Sequence, residues 1–147
     1  MSQVPAYWLK QPEFYESSMT VAQDATSEQL VLRCQKILSH AWMVRTFVKH
    51  SPEVEDFPEL MMLARSVFDT CRALETRVGS PAEYFKMLEK KLGKLKKAVE
   101  EFQTDAPLAS THTNFQQAAI SMATVADDLT LLLEFGKKRI AQKRTVS

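Results

Sequence analysis

Glycine is scarce in this chain, which has three glycines among 147 residues. Folds built from strands and tight turns use glycine at positions of positive φ, so its scarcity favours helices joined by short turns. No apolar run reaches the roughly 18 residues that a membrane helix needs, and we expect no membrane partner. The start lacks a basic segment followed by an apolar one, which argues against a signal peptide and predicts a cytoplasmic protein.

Cysteine is scarce too, and Cys34 and Cys71 form neither a C-x-x-C pair nor a zinc-binding spacing. Both fall on apolar helix stripes, where reduced core cysteines are expected. The net charge of +1 argues against a nucleic-acid binder that uses its whole surface. The chain also lacks a glycine-rich phosphate loop, a G-x-S-x-G motif and a haem-attachment motif, so no cofactor is predicted.

Four segments repeat apolar residues at every third or fourth position, which is the period of a helix with one buried face. We predict helices over these ranges: about 27–50, 57–78, 81–103 and 113–135. Because the connecting loops are short, consecutive helices should be antiparallel neighbours. The predicted fold is therefore all-α, an up-down-up-down four-helix bundle over residues 26–136.

The expected helix boundaries rest on capping signals and helix breakers. Four starts pair a capping residue with an acid or amide three positions later: Thr26 with Gln29, Asp56 with Glu59, Ser80 with Glu83, and Thr113 with Gln116. The expected ends of the first three helices are Pro52, Gly79 and Pro107, and Gly136 is expected either to stop or to kink the fourth helix. Residues 1–25 form an aromatic-rich N-terminal arm that should pack on the bundle, and 137–147 form a basic tail or a helix extension.

The segment His40-Ala-Trp-Met-Val-Arg-Thr-Phe-Val-Lys-His50 has apolar residues on several faces of its helix. Such a helix needs cover on several sides, from the arm, a diagonal helix or a second copy of the chain. The candidate interface residues are Trp42, Met43 and Phe47, with Trp8 of the arm. We therefore expect a non-enzymatic interaction or scaffold module that binds another protein or forms a homodimer.

The alternating helix directions predict that the end of the first helix and the start of the fourth meet at one pole of the bundle. This would bring together His50 and His112, which are 62 positions apart. The candidate catalytic residues are Arg45, His50 and His112, and the candidate metal ligands are His50, His112 and Asp56. The alternative function is a small enzyme, or an anion-binding or metal-binding protein, with its site at this pole.

Arg45 and His50 also fit the spacing R-x4-H. This spacing resembles the motif of HEPN domains, which are all-helical bundles that often act as dimeric RNA-cleaving enzymes. The resemblance implies that Arg45 would stabilise phosphate charge and that His50 would assist proton transfer. Thr46 stands where that family usually has Asn, Asp or His after the arginine.

Two other helical families lack their motifs in this chain. A histidine phosphotransfer domain has a Lys-Gly pair shortly after its reactive histidine, and His40 is followed by Ala-Trp-Met-Val-Arg. A ferritin-like di-metal protein needs Glu-x-x-His pairs, and the sequence contains none.

Basic residues are concentrated in two places. The third helix carries lysines along one side, where we expect a solvated face with ion pairs to glutamates three or four positions away: Lys86, Lys90, Lys94 and Lys97. The C-terminal segment is the part through which we expect any contact with nucleic acid or an acidic partner: Lys137, Lys138, Arg139, Lys143 and Arg144.

Overall fold

The structure, a computed structural model, describes residues 24–146. This part of the chain contains five α-helices and no strand, so the all-α prediction is confirmed. The helices are α1 (Ser27–Lys49), α2 (Glu53–Asp56), α3 (Met61–Glu75), α4 (Pro81–Ala109) and α5 (Thr113–Val146). None of the helices in residues 24–146 has the length and apolar content needed to cross a membrane. The predicted arm, with Trp8, lies almost entirely outside the described residues.

The four long helices pack in a ring that follows their order in the chain. Helix α1 packs on α3, α3 on α4 and α4 on α5, and α5 returns to pack on α1. Helix α4 lies diagonally opposite α1 and makes only minor contact with it. The largest fully buried side chains line the centre of this four-helix bundle: Leu30, Leu63, Leu74, Tyr84, Leu88, Leu95, Met122 and Leu129.

Helix α1 begins with the capping box expected from its sequence. The backbone N–H of Gln29 donates to Thr26 Oγ1 at 3.1 Å, and the N–H of Thr26 donates to Gln29 Oε1 at 2.9 Å. These two bonds satisfy donors that a helix start otherwise leaves free. The box expected at Ser80 and Glu83 is not formed, because the Ser80 side chain makes no capping hydrogen bond.

The second predicted helix, 57–78, is shorter than expected at both ends. Pro58 disfavours a helical conformation at the residue before it, and Phe57 has φ −128° and ψ 72°. A 3₁₀ turn at Pro58–Leu60 follows, and α3 starts at Met61. The helix ends at Glu75 rather than beside Gly79, and Arg77 Nη1 donates to the Ala73 carbonyl at 2.6 Å. That bond satisfies one of the carbonyls left free at the helix end.

The third predicted helix, 81–103, continues past Pro107 to Ala109. Proline removes one backbone donor, so only the bond to the carbonyl four residues earlier is lost. Ala106 is buried against the core, and its carbonyl accepts the N–H of Ser110 at 3.0 Å. The hydrogen bond from Ser110 to Ala106 therefore spans the proline and keeps the last turn helical.

The fourth predicted helix, 113–135, continues through Gly136 to Val146, so residues 137–146 are a helix extension. Gly136 is buried, and a Cβ built on it would lie 2.5 Å from Phe85 Cε1 of α4. The glycine therefore lets the Phe85 ring lie against the backbone of α5. Its role is close packing between helices, and of the two expectations for Gly136, a stop or a kink, the stop does not occur.

Gly136→Ala should lower the free energy of unfolding by about 1–3 kcal/mol, because the added methyl group overlaps the buried Phe85 ring. Gly93→Ala is the matched control, since a Cβ added to Gly93 in α4 would meet no neighbouring side chain within 4 Å. The control should gain up to about 1 kcal/mol from the higher helix propensity of alanine. Urea unfolding of both variants measures the two effects, and equal gains would disprove the packing role of Gly136.

Candidate functional site

An open groove of about 460 Å³, here called the pole groove, lies where α1 ends and α5 begins. Both histidines that the sequence placed at one pole line it, together with Glu53 of α2. Its remaining lining residues are Thr46, Phe47, Ser51, Pro52, Asn114 and Phe115. The groove therefore combines an aromatic wall with two imidazoles and one carboxylate. Its volume falls within the range of small-molecule sites.

His112 is fixed at the start of α5 by a capping bond. The N–H of Asn114 donates to His112 Nδ1 at 3.1 Å, and the His112 carbonyl accepts the N–H of Phe115 at 3.0 Å. The imidazole thus acts as an N-cap acceptor. Because Nδ1 accepts, the proton of the neutral ring lies on Nε2, which leaves a donor available to a ligand.

The metal candidates do not gather into a chelating cluster. Asp56 is exposed and is not among the residues that line the pole groove, although His50 and His112 are. Within residues 24–146 there is no group of three or more His, Cys, Asp or Glu side chains arranged to hold a metal ion.

Arg45 lies away from the pole groove, between α1 and α3. Its guanidinium carbon is 4.2 Å from the centre of the Trp42 ring and 5.3 Å from that of Phe68. Its Nε is buried and has no hydrogen-bond partner in the described part of the chain. The two aromatic faces are therefore its main contacts. Arg45 and His50 do not line one groove, which weighs against the HEPN-like arrangement.

Phe47, expected on the outer face of the first helix, packs instead inside the bundle's end. Its ring centre is 5.1 Å from that of Phe115 on α5, and Phe47 is half-buried against the core. The sequence did not reveal this contact because Phe115 is 68 positions further along the chain. Phe47 therefore forms a wall of the pole groove rather than a free interface.

The outer surface between α1 and α3 is the second candidate site. We call it the α1–α3 face and define it by Trp42, Met43, Arg45, Phe68 and Arg72. The Trp42 and Phe68 ring centres are 6.1 Å apart, and Arg72 lies 5.8 Å from the Phe68 ring. Met43 is 65% exposed and Phe68 is 39% exposed. This face therefore combines an exposed methionine with two aromatic rings that stack on arginines.

A second groove, of about 270 Å³, adjoins the α1–α3 face. Its lining residues are Gln35, Leu38, Ser39, Trp42, Cys71 and Glu75. Gln35 is fixed because its Oε1 accepts the hydroxyl of the buried Tyr84 at 2.7 Å. Through Gln35, the lining of this groove is therefore hydrogen-bonded to Tyr84 of α4.

Neither cysteine has the properties of a reactive thiol. Burial raises the pKa of Cys34 to about 12. Burial also raises the pKa of Cys71 to about 11, although the positive charge of Arg45 acts in the opposite direction. Both are free thiols, and both stay protonated at neutral pH.

Lys137 and Lys143 of the basic C-terminal segment form ion pairs with residues of other helices. Lys137 Nζ is 2.9 Å from Glu89 Oε1 of α4, and this hydrogen bond raises the pKa of Lys137. Lys143 Nζ is 2.9 Å from Ser27 Oγ and 3.2 Å from Glu28 Oε1 at the start of α1. Backbone hydrogen bonding, followed by the bond to Lys143, lowers the pKa of Glu28. The segment is thus partly neutralised.

His112→Ala should lower the free energy of unfolding by about 1 kcal/mol, because the Asn114 N–H loses its acceptor. His112→Asn should restore or exceed the native value, since asparagine is a favoured N-cap residue. Thr111→Ala is the control, because Thr111 is exposed next to the cap. Urea unfolding measures all three variants. A loss in Thr111→Ala equal to that in His112→Ala would contradict a capping role.

No protein-family model, curated protein or solved structure matches this chain. The side chains of the pole groove and of the α1–α3 face are therefore the basis for a functional proposal.

Proposed function

We propose that the protein is a non-enzymatic interaction module that associates with a second copy of itself through the α1–α3 face. The observation that carries this is the stack of the half-buried Trp42 and Arg45 on the 39% exposed Phe68, beside the 65% exposed Met43. Tryptophan and arginine are enriched among residues that dominate binding energy, and methionine and phenylalanine are enriched at interfaces. The stack also holds its rings in place before binding, which lowers the entropy lost on association.

The charges of the α1–α3 face are compatible with binding to a second copy of the chain. Arg72 pairs with Glu75 at 2.9 Å, while Asp69 is exposed and forms no ion pair within residues 24–146. Both signs of charge therefore lie close to the aromatic stack. In a two-fold interface the same patch meets itself, so an arginine of one copy can face an acid of the other.

Met43→Asp should convert the dimer to a monomer, because a carboxylate would have to be buried at the centre of the apolar contact. Ile120→Asp is the matched control, since Ile120 is a 58% exposed apolar residue on the outer side of α5. Sedimentation equilibrium of the wild type and both variants gives the oligomeric state. A monomeric wild type, or equal dissociation of both variants, would disprove association through this face.

A second candidate function is the binding of a small anion-bearing ligand in the pole groove. The observation in its favour is that His50 and His112 line the same groove, with the Nε2–H of His112 free to donate. Phe47 and Phe115 offer an apolar wall, and Glu53 limits the site to ligands that also carry a hydrogen-bond donor. This arrangement supports binding and positions no nucleophile.

Added inorganic phosphate should shift the imidazole NMR signals of His50 and His112 with one common dissociation constant. His40 is the internal control, because it is exposed on α1 about 15 Å from His50 by the rise of a helix. Its signal should stay unchanged. If all three histidines shifted alike, or none shifted, the pole groove would not be an anion site.

A further inference from the structure

We infer that the outer face of α4 binds the phosphate backbone of double-stranded nucleic acid. The residues that carry this inference form a lysine row, defined as Lys86, Lys90, Lys94 and Lys97. They follow one another in steps of four, four and three residues, so they share one side of the helix. All four are exposed, and the row is about 16 Å long by the rise of a helix.

The lysine row is not neutralised by its own helix. None of the four forms an ion pair within residues 24–146, although Lys86 and Lys97 have glutamates three or four positions away. Glu89, the one acid between Tyr84 and Val99, is instead bound to Lys137 of α5 at 2.9 Å. The expected pairs along the helix are therefore absent, and the row remains a strip of positive charge between Glu83 and Glu101.

The shape of the row favours a linear polyanion. One strand of a duplex carries a phosphate about every 3.4 Å along its axis, so about 16 Å of helix spans about five phosphates. Lysines contact phosphates as point charges and need no fixed geometry. The row includes no arginine and no glutamine or asparagine to read base edges, which implies binding without sequence preference.

The other polyanions fit this face less well. A membrane surface is normally held by apolar side chains as well as by charge, and the exposed positions between Lys86 and Lys97 hold no large apolar side chain. Single strands are held by stacking on exposed aromatic rings, whereas Tyr84, Phe85 and Phe102 of α4 are buried. Peptides need a groove with side-chain pockets, and neither of the two grooves described above reaches this face.

The position of α4 makes this site independent of the proposed dimer. Helix α4 is diagonal to α1 in the ring, so association through the α1–α3 face leaves the lysine row exposed. A dimer would present two rows on its outer sides. Loss of self-association would weaken binding to a long duplex but would leave the contact of one row unchanged.

The test is fluorescence anisotropy of a short labelled DNA duplex, measured over a series of salt concentrations. The logarithm of the association constant should fall with the logarithm of salt with a slope of about −3 to −4, from four lysines at ~0.9 each. Lys90→Gln/Lys94→Gln should reduce the magnitude of the slope by about 1.8, because two phosphate contacts are lost. Lys86→Gln/Lys97→Gln should do the same.

Lys49→Gln/Lys138→Gln is the charge-matched control, because both lysines are exposed and lie on α1 and α5. Its slope should equal that of the wild type, and circular dichroism should show the same helix content in all variants. Three outcomes would overturn the proposal: no binding at low salt, an equal loss in the control, or binding to anionic lipid vesicles with none to the duplex. A loss in the control alone would also overturn it and would assign binding to the surface at Lys49 or Lys138 instead.

Discussion

The ring of Phe85 occupies the space that any side chain at position 136 would need. Because Gly136 lacks a Cβ, α4 and α5 can approach closely at the end of the bundle where the chain begins α1. Helix α5 then continues for ten residues, bringing Lys137 to Glu89 and Lys143 to Glu28. Those ion pairs are exposed and contribute little stability. The buried ring against the glycine is therefore the contact that lets α5 pack closely on α4 and continue to the start of α1.

The sequence predicted the buried stripes well, because a helix that hides one face must repeat apolar residues every three or four positions. It was wrong at Pro107, where local conformational preference indicated an end and tertiary packing continued the helix, and at Gly136 it left open whether the helix would stop or continue. Phe85 is 51 positions from Gly136, so no local pattern could reveal their contact. At Phe57 the opposite holds, since the rule for the residue before proline would have excluded it from the helix, although that rule does not predict the 3₁₀ turn at Pro58–Leu60.

In the candidate sites, too, some features could be predicted from the sequence and others could not. The antiparallel order of the helices sufficed to bring His50 and His112 to one groove. A turn of about 100° per residue would also have separated Arg45 from His50, because five residues rotate about 140° around the helix. The contact between Arg45 and Phe68 could not be predicted from the sequence, since it joins α1 to α3. Sequence patterns thus located the pole groove but missed half of the α1–α3 face.

A net charge near zero conceals a strong separation of charge along this chain. Six lysines and one glutamate lie between Tyr84 and Val99, whereas residues 53–59 hold four acids and no base. The acidic stretch includes α2 at the pole, while the lysines face outward along the middle of α4. Such a field would attract a polyanion to α4, and this attraction weakens as salt rises. The α1–α3 face carries charges of both signs and produces no such long-range attraction. Short-range packing therefore determines which partner binds there.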